Sequence, residues 1–226
     1  MNGHFNNALK SLQGMLGTMS VYAEEAVRLS GKAIDELSVA SAMQVIEGDE
    51  KLNSMENEIE EECLKILALY QPVASDLRNV VTILKVNSEL ERVGDLAVNI
   101  AERVRSLDSF KNSNIEKFDF NKMLQLSCGM LKDALDSLVY HNIILAQEVI
   151  TRDEKVDIIH RDNYGIVRTF IIKHPNSAEY YLNGLTISRC LERVADIATN
   201  IAEDVIYLES GSIVRHCHET GKTNEL

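Results

Sequence analysis

The chain has no tryptophan, two prolines (Pro72 and Pro175) and aromatic side chains at only 5% of its positions. A β-sandwich or barrel needs frequent turn signals and β-branched alternation, and the sequence supplies neither. Cysteine is sparse: Cys63, Cys128, Cys190 and Cys217 stand far apart, with no Cys-x-x-Cys spacing for a zinc site or a dithiol redox pair. Three of the four fall in apolar-periodic segments, where a reduced thiol serves as a small hydrophobe. No run of about 18 apolar residues occurs, so no membrane-spanning helix is expected. Positive charge is also short, 23 Lys and Arg against 35 Asp and Glu, for a formal net charge of -12. Such a surface disfavours the electrostatic capture of nucleic acid, and no nucleic-acid partner is expected. The opening Met-Asn-Gly-His-Phe-Asn-Asn lacks a basic stretch followed by an apolar run, which points to a cytoplasmic location.

What the sequence does carry is helical periodicity. Leu9, Leu12, Leu16, Met19, Ala23, Ala26 and Val27 recur at three-and-four spacing, predicting a helix over 5–30 with Gly31 as its C-cap. Leu37, Met43, Val45, Leu52, Met55, Ile59, Leu64 and Leu67 continue the rhythm over 32–69. Gln71-Pro72 stops that helix, and Pro72 suits the first turn of a third, over 73–106. Residues 106–114, rich in Asp, Ser and Asn, read as a connection. Helices over 120–140, 142–173 and 177–210 follow, with Pro175 at the second break.

Two prolines at equivalent breaks direct attention to self-similarity. Leu90-Glu91-Arg92-Val93-Gly94-Asp95-Leu96-Ala97-Val98-Asn99-Ile100-Ala101-Glu102 matches the stretch from Leu191 to Glu203 at 10 of 13 positions. Upstream, the segment from Val45 to Lys51 matches that from Val149 to Lys155. The expected fold is therefore all-α: two tandem three-helix bundles related by internal duplication, over 1–113 and 114–210, with a polar tail over 211–226.

At 100° per residue, Glu91, Asp95, Asn99 and Glu102 lie within about 80° of one another on one helix face. Glu192, Asp196, Asn200 and Glu203 repeat the stripe in the second copy. A solvated helix face needs only polarity, yet both copies keep the same four residue types. Carboxylates at i and i+4 repel, and no lysine is interposed to reverse the sign; a cation would. Oxygen donors without sulfur or imidazole suit hard ions such as magnesium, manganese, calcium or iron. One helix offers too few ligands, and the preceding helix supplies Asp153 and Asp157 at the same spacing. The first copy has Asp49 but Asn53 in the corresponding places, so its site carries one charge less. Glu56 and Glu60, one turn on, are candidates to compensate. His216-Cys217-His218 in the tail and His160, one turn beyond Asp157, are weaker candidates, read more simply as surface residues.

The doubled Leu-Glu-Arg-Val-x-Asp-x-Ala-x-Asn-Ile-Ala-Glu, together with Gln71-Pro72-Val73-Ala74-Ser75-Asp76-Leu77-Arg78 and the closing Asp204-Val205-Ile206-Tyr207, resembles the PhoU family over nearly the whole chain. The resemblance implies paired three-helix bundles whose acidic motifs hold metal, in some members as multinuclear iron or zinc clusters. Carried over, the ligands are Glu91 and Asp95 with Asp49, and Glu192 and Asp196 with Asp153 and Asp157; Asn53, Asn99, Glu102, Asn200 and Glu203 are possible additions. It further implies a regulator, not an enzyme, that couples the ATPase subunit of the phosphate ABC transporter to its sensor histidine kinase and holds the phosphate-starvation response off. Such a protein is peripheral to the membrane through its partners, and a homodimer is the expected assembly. Two other classes stay open. A di-iron carboxylate enzyme would want Glu-x-x-His pairs, and none occurs. A purely structural helical adaptor would explain the helices but not the repeated identities.

Overall fold

The computed structural model describes residues 2–111, 113 and 115–211. Among these residues it is built of six α-helices and no strand: α1 (Asn2–Glu36), α2 (Val39–Tyr70), α3 (Ala74–Leu107), α4 (Asn121–Val139), α5 (Ile143–Lys173) and α6 (Ala178–Ser210). Short 3-10 turns cover Asp108–Phe110 and Pro175–Ser177. The helices α1, α2 and α3 pack on one another, as do α4, α5 and α6. The bundles are joined along α3 and α6, with α1 touching α4 on one side.

The third helix of each bundle thus has neighbours on three sides, and its sequence answers with apolar residues well beyond one stripe. On α3, Val80, Val86, Leu90, Val93, Ala97, Ile100 and Ala101 are fully shielded; on α6, Ile187, Leu191, Val194, Ala195, Ala198, Ile201, Ala202 and Val205 are too. Truncating a residue such as Leu90 to Ala in this setting costs about 3 kcal/mol. The two helices run antiparallel. Lys85 Nζ meets Asp204 Oδ1 at 3.1 Å, Asn200 Nδ2 donates to Glu89 Oε1 at 3.3 Å, and Arg78 Nε donates to the Leu208 carbonyl at 3.4 Å. As numbers rise along α3, those of their partners fall along α6.

The helix ends follow local chemistry. Ser38 and Asn142 cap α2 and α5, their side-chain oxygens accepting from the amides of Ser41 and Leu145. Gln71 ends α2 in the left-handed region (φ 46°), and Gly211 ends α6 there (φ 72°). Two boundaries differ from the sequence expectation. Gly31 does not cap a helix; α1 runs on to Glu36, and the break comes at left-handed Leu37 (φ 45°). Gly31 is a packing glycine, since a Cβ there would lie 3.0 Å from Leu124 Cδ2 on α4. Pro72 lies in the connection ahead of α3, whose N-cap is Val73, and not in the helix's first turn.

Candidate metal centre

In the second bundle α5 and α6 run side by side, and Asp153 and Asp157, four residues apart on α5, face Asp196 on α6 across the groove. One carboxylate oxygen from each of the three lies within 4.8 Å of the others. Asp153 and Asp157 are half-buried and Asp196 is exposed. Glu192, one turn before Asp196, joins the same field.

The electrostatics are those of crowded anions. Burial, then the charges of Asp196, Asp157, Glu192 and Glu154, push the Asp153 carboxyl up to about 7. Glu192 is raised by burial and by Asp196 and Asp157, against the opposing pull of Arg189 and Arg193. Asp196 is raised by burial and by Asp157, with Arg193 and Arg92 opposing. A buried carboxylate oxygen ordinarily finds a donor, yet Asp153 Oδ1 is buried with no hydrogen-bond partner.

The first bundle carries a quieter version. Asp49 on α2 stands where Asp153 does on α5, and its Oδ1 is likewise buried without a partner. A Cβ on Gly94 of α3 would come within 3.0 Å of that oxygen and 2.7 Å of Leu52 Cδ1, so the glycine lets α3 close on Asp49. The other oxygen, Oδ2, accepts from Asn53 Nδ2 at 3.0 Å. Asn53 therefore supplies a donor where Asp157 supplies a charge. Burial raises Asp49, with Asn53 lowering it and Asp95 raising it. Glu91 is raised by burial and then by Asp95, Glu56 and Asp49, and Glu56 by burial, Glu60 and Asp95. Glu56 thus stands in the field of Asp95 and Glu91.

The remaining candidates have other engagements. Asn99 is exposed and donates to the Asp95 carbonyl at 2.9 Å. Asn200 donates across the seam to Glu89, which also holds Arg92 at 3.0 Å. Glu102 is exposed on α3, and half-buried Glu203 lies further along α6. His160 Nδ1 bonds Ser188 Oγ at 2.8 Å, beside Asn163, whose Nδ2 donates to the same hydroxyl at 2.8 Å. Burial lowers the imidazole pKa. His216, Cys217 and His218 lie outside the described residues. Cys63 and Cys128 are free thiols pushed up to about 11 by burial, inert as metal ligands or nucleophiles near neutral pH. The Glu89 bridge was not legible in advance: only the antiparallel docking of α3 on α6 brings it to Asn200.

Three carboxylates that meet at an orphaned buried oxygen of Asp153, with Glu192 in the same field, are all hard donors and fit a hard cation. The internal repeat that carries them is also what ties the chain to known proteins. The family model described as the PhoU domain matches residues 16–104 and, a second time, 120–205. The chain belongs to the PhoU family. The phosphate-specific transport system accessory protein PhoU homolog of Pseudomonas putida is 36% identical over 212 residues, 94% of this chain and 83% of the relative. The PhoU of Escherichia coli K12 is 33% identical over 220 residues, 96% of this chain and 89% of the relative. Among solved structures, PhoU from Pseudomonas aeruginosa superposes with a TM-score of 0.89 at 34% identity, covering 92% of this chain and all 100% of that one. The phosphate transport system regulatory protein PhoU from Streptococcus pneumoniae gives 0.82 at 29% identity, over 93% and 99% of the two chains. Each of the two PhoU matches contains one carboxylate cluster. Among the described residues, no helix is long and apolar enough to cross a membrane.

Proposed function

We propose that this chain is a cytoplasmic, metal-binding adaptor that sits between the ATPase subunit of a phosphate ABC transporter and a sensor histidine kinase, holding phosphate uptake and the starvation response in check. Membership of the PhoU family, whose relatives are named as accessory and regulatory proteins of phosphate transport, supports a regulator in that process. The observation that carries the metal-binding part is the meeting of Asp153, Asp157 and Asp196 around the partnerless Asp153 Oδ1.

Asp153, Asp157, Glu192 and Asp196 would hold the ion in the second bundle, and Asp49, Glu91 and Asp95, aided by Glu56, in the first. A bound iron, zinc, manganese or magnesium ion supplies positive charge that neutralises the cluster. The protein's own contribution is to hold the carboxylates at close quarters on two rigid helices, so that their repulsion is already in place before any ion arrives. Asp153 is only about half ionised near neutral pH when no ion is bound, and Arg189 and Arg193 temper the rim. The acidic face of the bundles would dock against basic surface on the kinase or the ATPase, and an ion held by the clusters would relieve the carboxylates' mutual repulsion there.

The test is elemental analysis of the purified chain beside pull-downs against the ATPase subunit and the kinase's cytoplasmic region. Reversing Glu192→Lys and Asp196→Lys together should abolish metal in the second bundle and weaken capture of the partner. Unchanged metal content would overturn the site. Deleting the gene should raise phosphate-responsive expression in phosphate-replete cells, and unaltered expression would overturn the regulatory reading.

A further inference from the structure

Where α1 and α3 of the first bundle meet α4 and α6 of the second, the packing leaves a cavity of about 220 Å³. All four helices contribute to its wall, with Leu16 on α1, Ile83 on α3, Leu135 on α4 and Leu208 on α6. Leu208 stands twelve residues past Asp196, about 18 Å along α6, so the cavity is separate from the carboxylate cluster. A core packed to the usual density leaves few voids larger than a water molecule, and this one is far larger.

Two wall residues give up stability that an ordinary core position would keep. Gly17 lies inside the 35-residue α1, where glycine weakens a helix relative to alanine. Gly31, Gly94 and Gly184 are each pressed by a neighbouring side chain, so that a Cβ there would collide. At Gly17 a Cβ would meet nothing within 4 Å, and the space a side chain would enter is the cavity. Thr82 on α3, also in the wall, is 1% exposed, and its hydroxyl has no hydrogen-bond partner. The other five described threonines all sit in helices and donate to a carbonyl three or four residues back. Thr82 is the buried one among them, where a missing bond costs most, and it forgoes even that local acceptor.

The rest of the wall states what kind of molecule would answer both. Its apolar side chains are all aliphatic, and no Lys, Arg, Asp or Glu lines it. His141 also lines it, but its Nδ1 meets Glu209 Oε1 at 2.6 Å, so the ring is already engaged. Ser20, 9% exposed, donates to the Leu16 carbonyl at 2.9 Å and keeps its lone pairs. A wall with hydroxyls and no free charge suits an uncharged guest whose polar group both donates and accepts. We propose that the cavity binds a small uncharged aliphatic molecule bearing one hydroxyl, its chain against the leucines and Ile83 and its hydroxyl on Thr82. A cavity of ~150 Å³ takes benzene, so 220 Å³ accommodates about eight or nine non-hydrogen atoms. Because the wall is drawn from both bundles, the guest ties them together, and its binding stabilises the folded chain.

1-Heptanol matches that size and is the probe, and ligand-observed saturation-transfer NMR on the full chain is the measurement. The wild type should bind it saturably, whereas heptanoate, of the same length but charged, should bind about tenfold or more weakly. Gly17→Leu should fill the cavity and abolish binding with unchanged helical circular dichroism, and Gly17→Met is a second, more adaptable plug. Gly14→Leu, on the exposed face of the same helix, should bind as the wild type does. Thr82→Val keeps the shape and removes the hydroxyl. It should weaken 1-heptanol about fivefold while toluene, which has no polar group, binds as well as before or better. A wild type that binds no 1-heptanol, its cavity holding water only, would overturn the proposal. So would binding that survives both plugs, a loss in Gly14→Leu equal to that in Gly17→Leu, heptanoate bound as tightly as the alcohol, or a Thr82→Val variant with undiminished affinity for 1-heptanol.

Discussion

Replacing Asp153 by Asn should make the metal-free protein more stable at pH 8, and the gain has a definite dependence on pH. The Asp153 carboxyl is raised from 3.8 to about 7 by burial and by the acidic groups around it. Above about pH 4 the unfolded chain releases this proton while the folded chain keeps it, so the native state binds more protons through that window. Stability from this group is therefore complete below about pH 4 and is lost as pH rises towards 7. About 3 units at about 1.4 kcal/mol each give an upper figure of about 4 kcal/mol. Water reaches the cluster through exposed Asp196, and screening brings the working value to about 2 kcal/mol. Urea denaturation in chelator at pH 5, 6, 7 and 8 should show wild-type stability falling across the series by about 1.2 kcal/mol, the part of that amount that lies above pH 5, and Asp153→Asn should flatten the fall. Manganese or magnesium added at pH 8 should reverse the order: at a hundredfold excess over its dissociation constant the ion stabilises the wild type by about 2.7 kcal/mol, and the variant by less. Equal pH slopes for the two proteins in chelator, or a variant less stable than the wild type at pH 8 without metal, would refute the reasoning.

Other expectations follow from the same geometry. Exchanging the distinguishing residue between bundles should exchange their properties: Asp157→Asn should weaken cation binding in the second cluster about tenfold or more, and Asn53→Asp should strengthen it in the first, both by titration calorimetry. Lys85→Met removes the lysine from Asp204, which is 2% exposed, and should cost about 2 kcal/mol in urea denaturation. Gly184→Val should destabilise by about 2 kcal/mol, because even a Cβ there would lie 2.6 Å from Phe118 Cδ2 in a ring cluster with Phe120 and Tyr181. Cys63 and Cys190, buried with thiol pKa values raised, should react with a disulfide reagent only as the chain unfolds.

The helices were legible because an apolar period of 3.6 is written into each of them, and the duplication was legible because thirteen residues kept ten identities. The end of α1 was not. Gly31 carries the residue type of a C-cap, but its lack of a side chain serves the approach of Leu124 from another helix, and sequence alone does not separate these uses of glycine. The true stop is Leu37, a left-handed residue with no sequence signature, followed by the cap at Ser38. In the site, the residue types and helix spacings of Asp153, Asp157, Glu192 and Asp196 sufficed to propose a facing pair. The difference made by Asn53 was visible as a missing charge, while its hydrogen bond to Asp49 required the rotamers. Lys85 with Asp204 and Glu89 with Asn200 were invisible in advance, because each depends on how one bundle docks on the other.

The antiparallel seam also bears on how such a chain could arise. Each bundle contributes one helix to it, in the same orientation relative to its own module, and the motif's Gly94 and Ala195 fall near the middle of the register fixed by Lys85–Asp204 and Glu89–Asn200. This is the arrangement that two identical single-module chains would reach by pairing about a twofold axis. Tethering two such modules would turn an association between molecules into one within a molecule, set by the length of the connection instead of by concentration. Once tethered, the halves no longer had to be identical. One could carry Asn53 where the other carries Asp157, a difference that a symmetric pair of single modules would have had to accept on both sides at once.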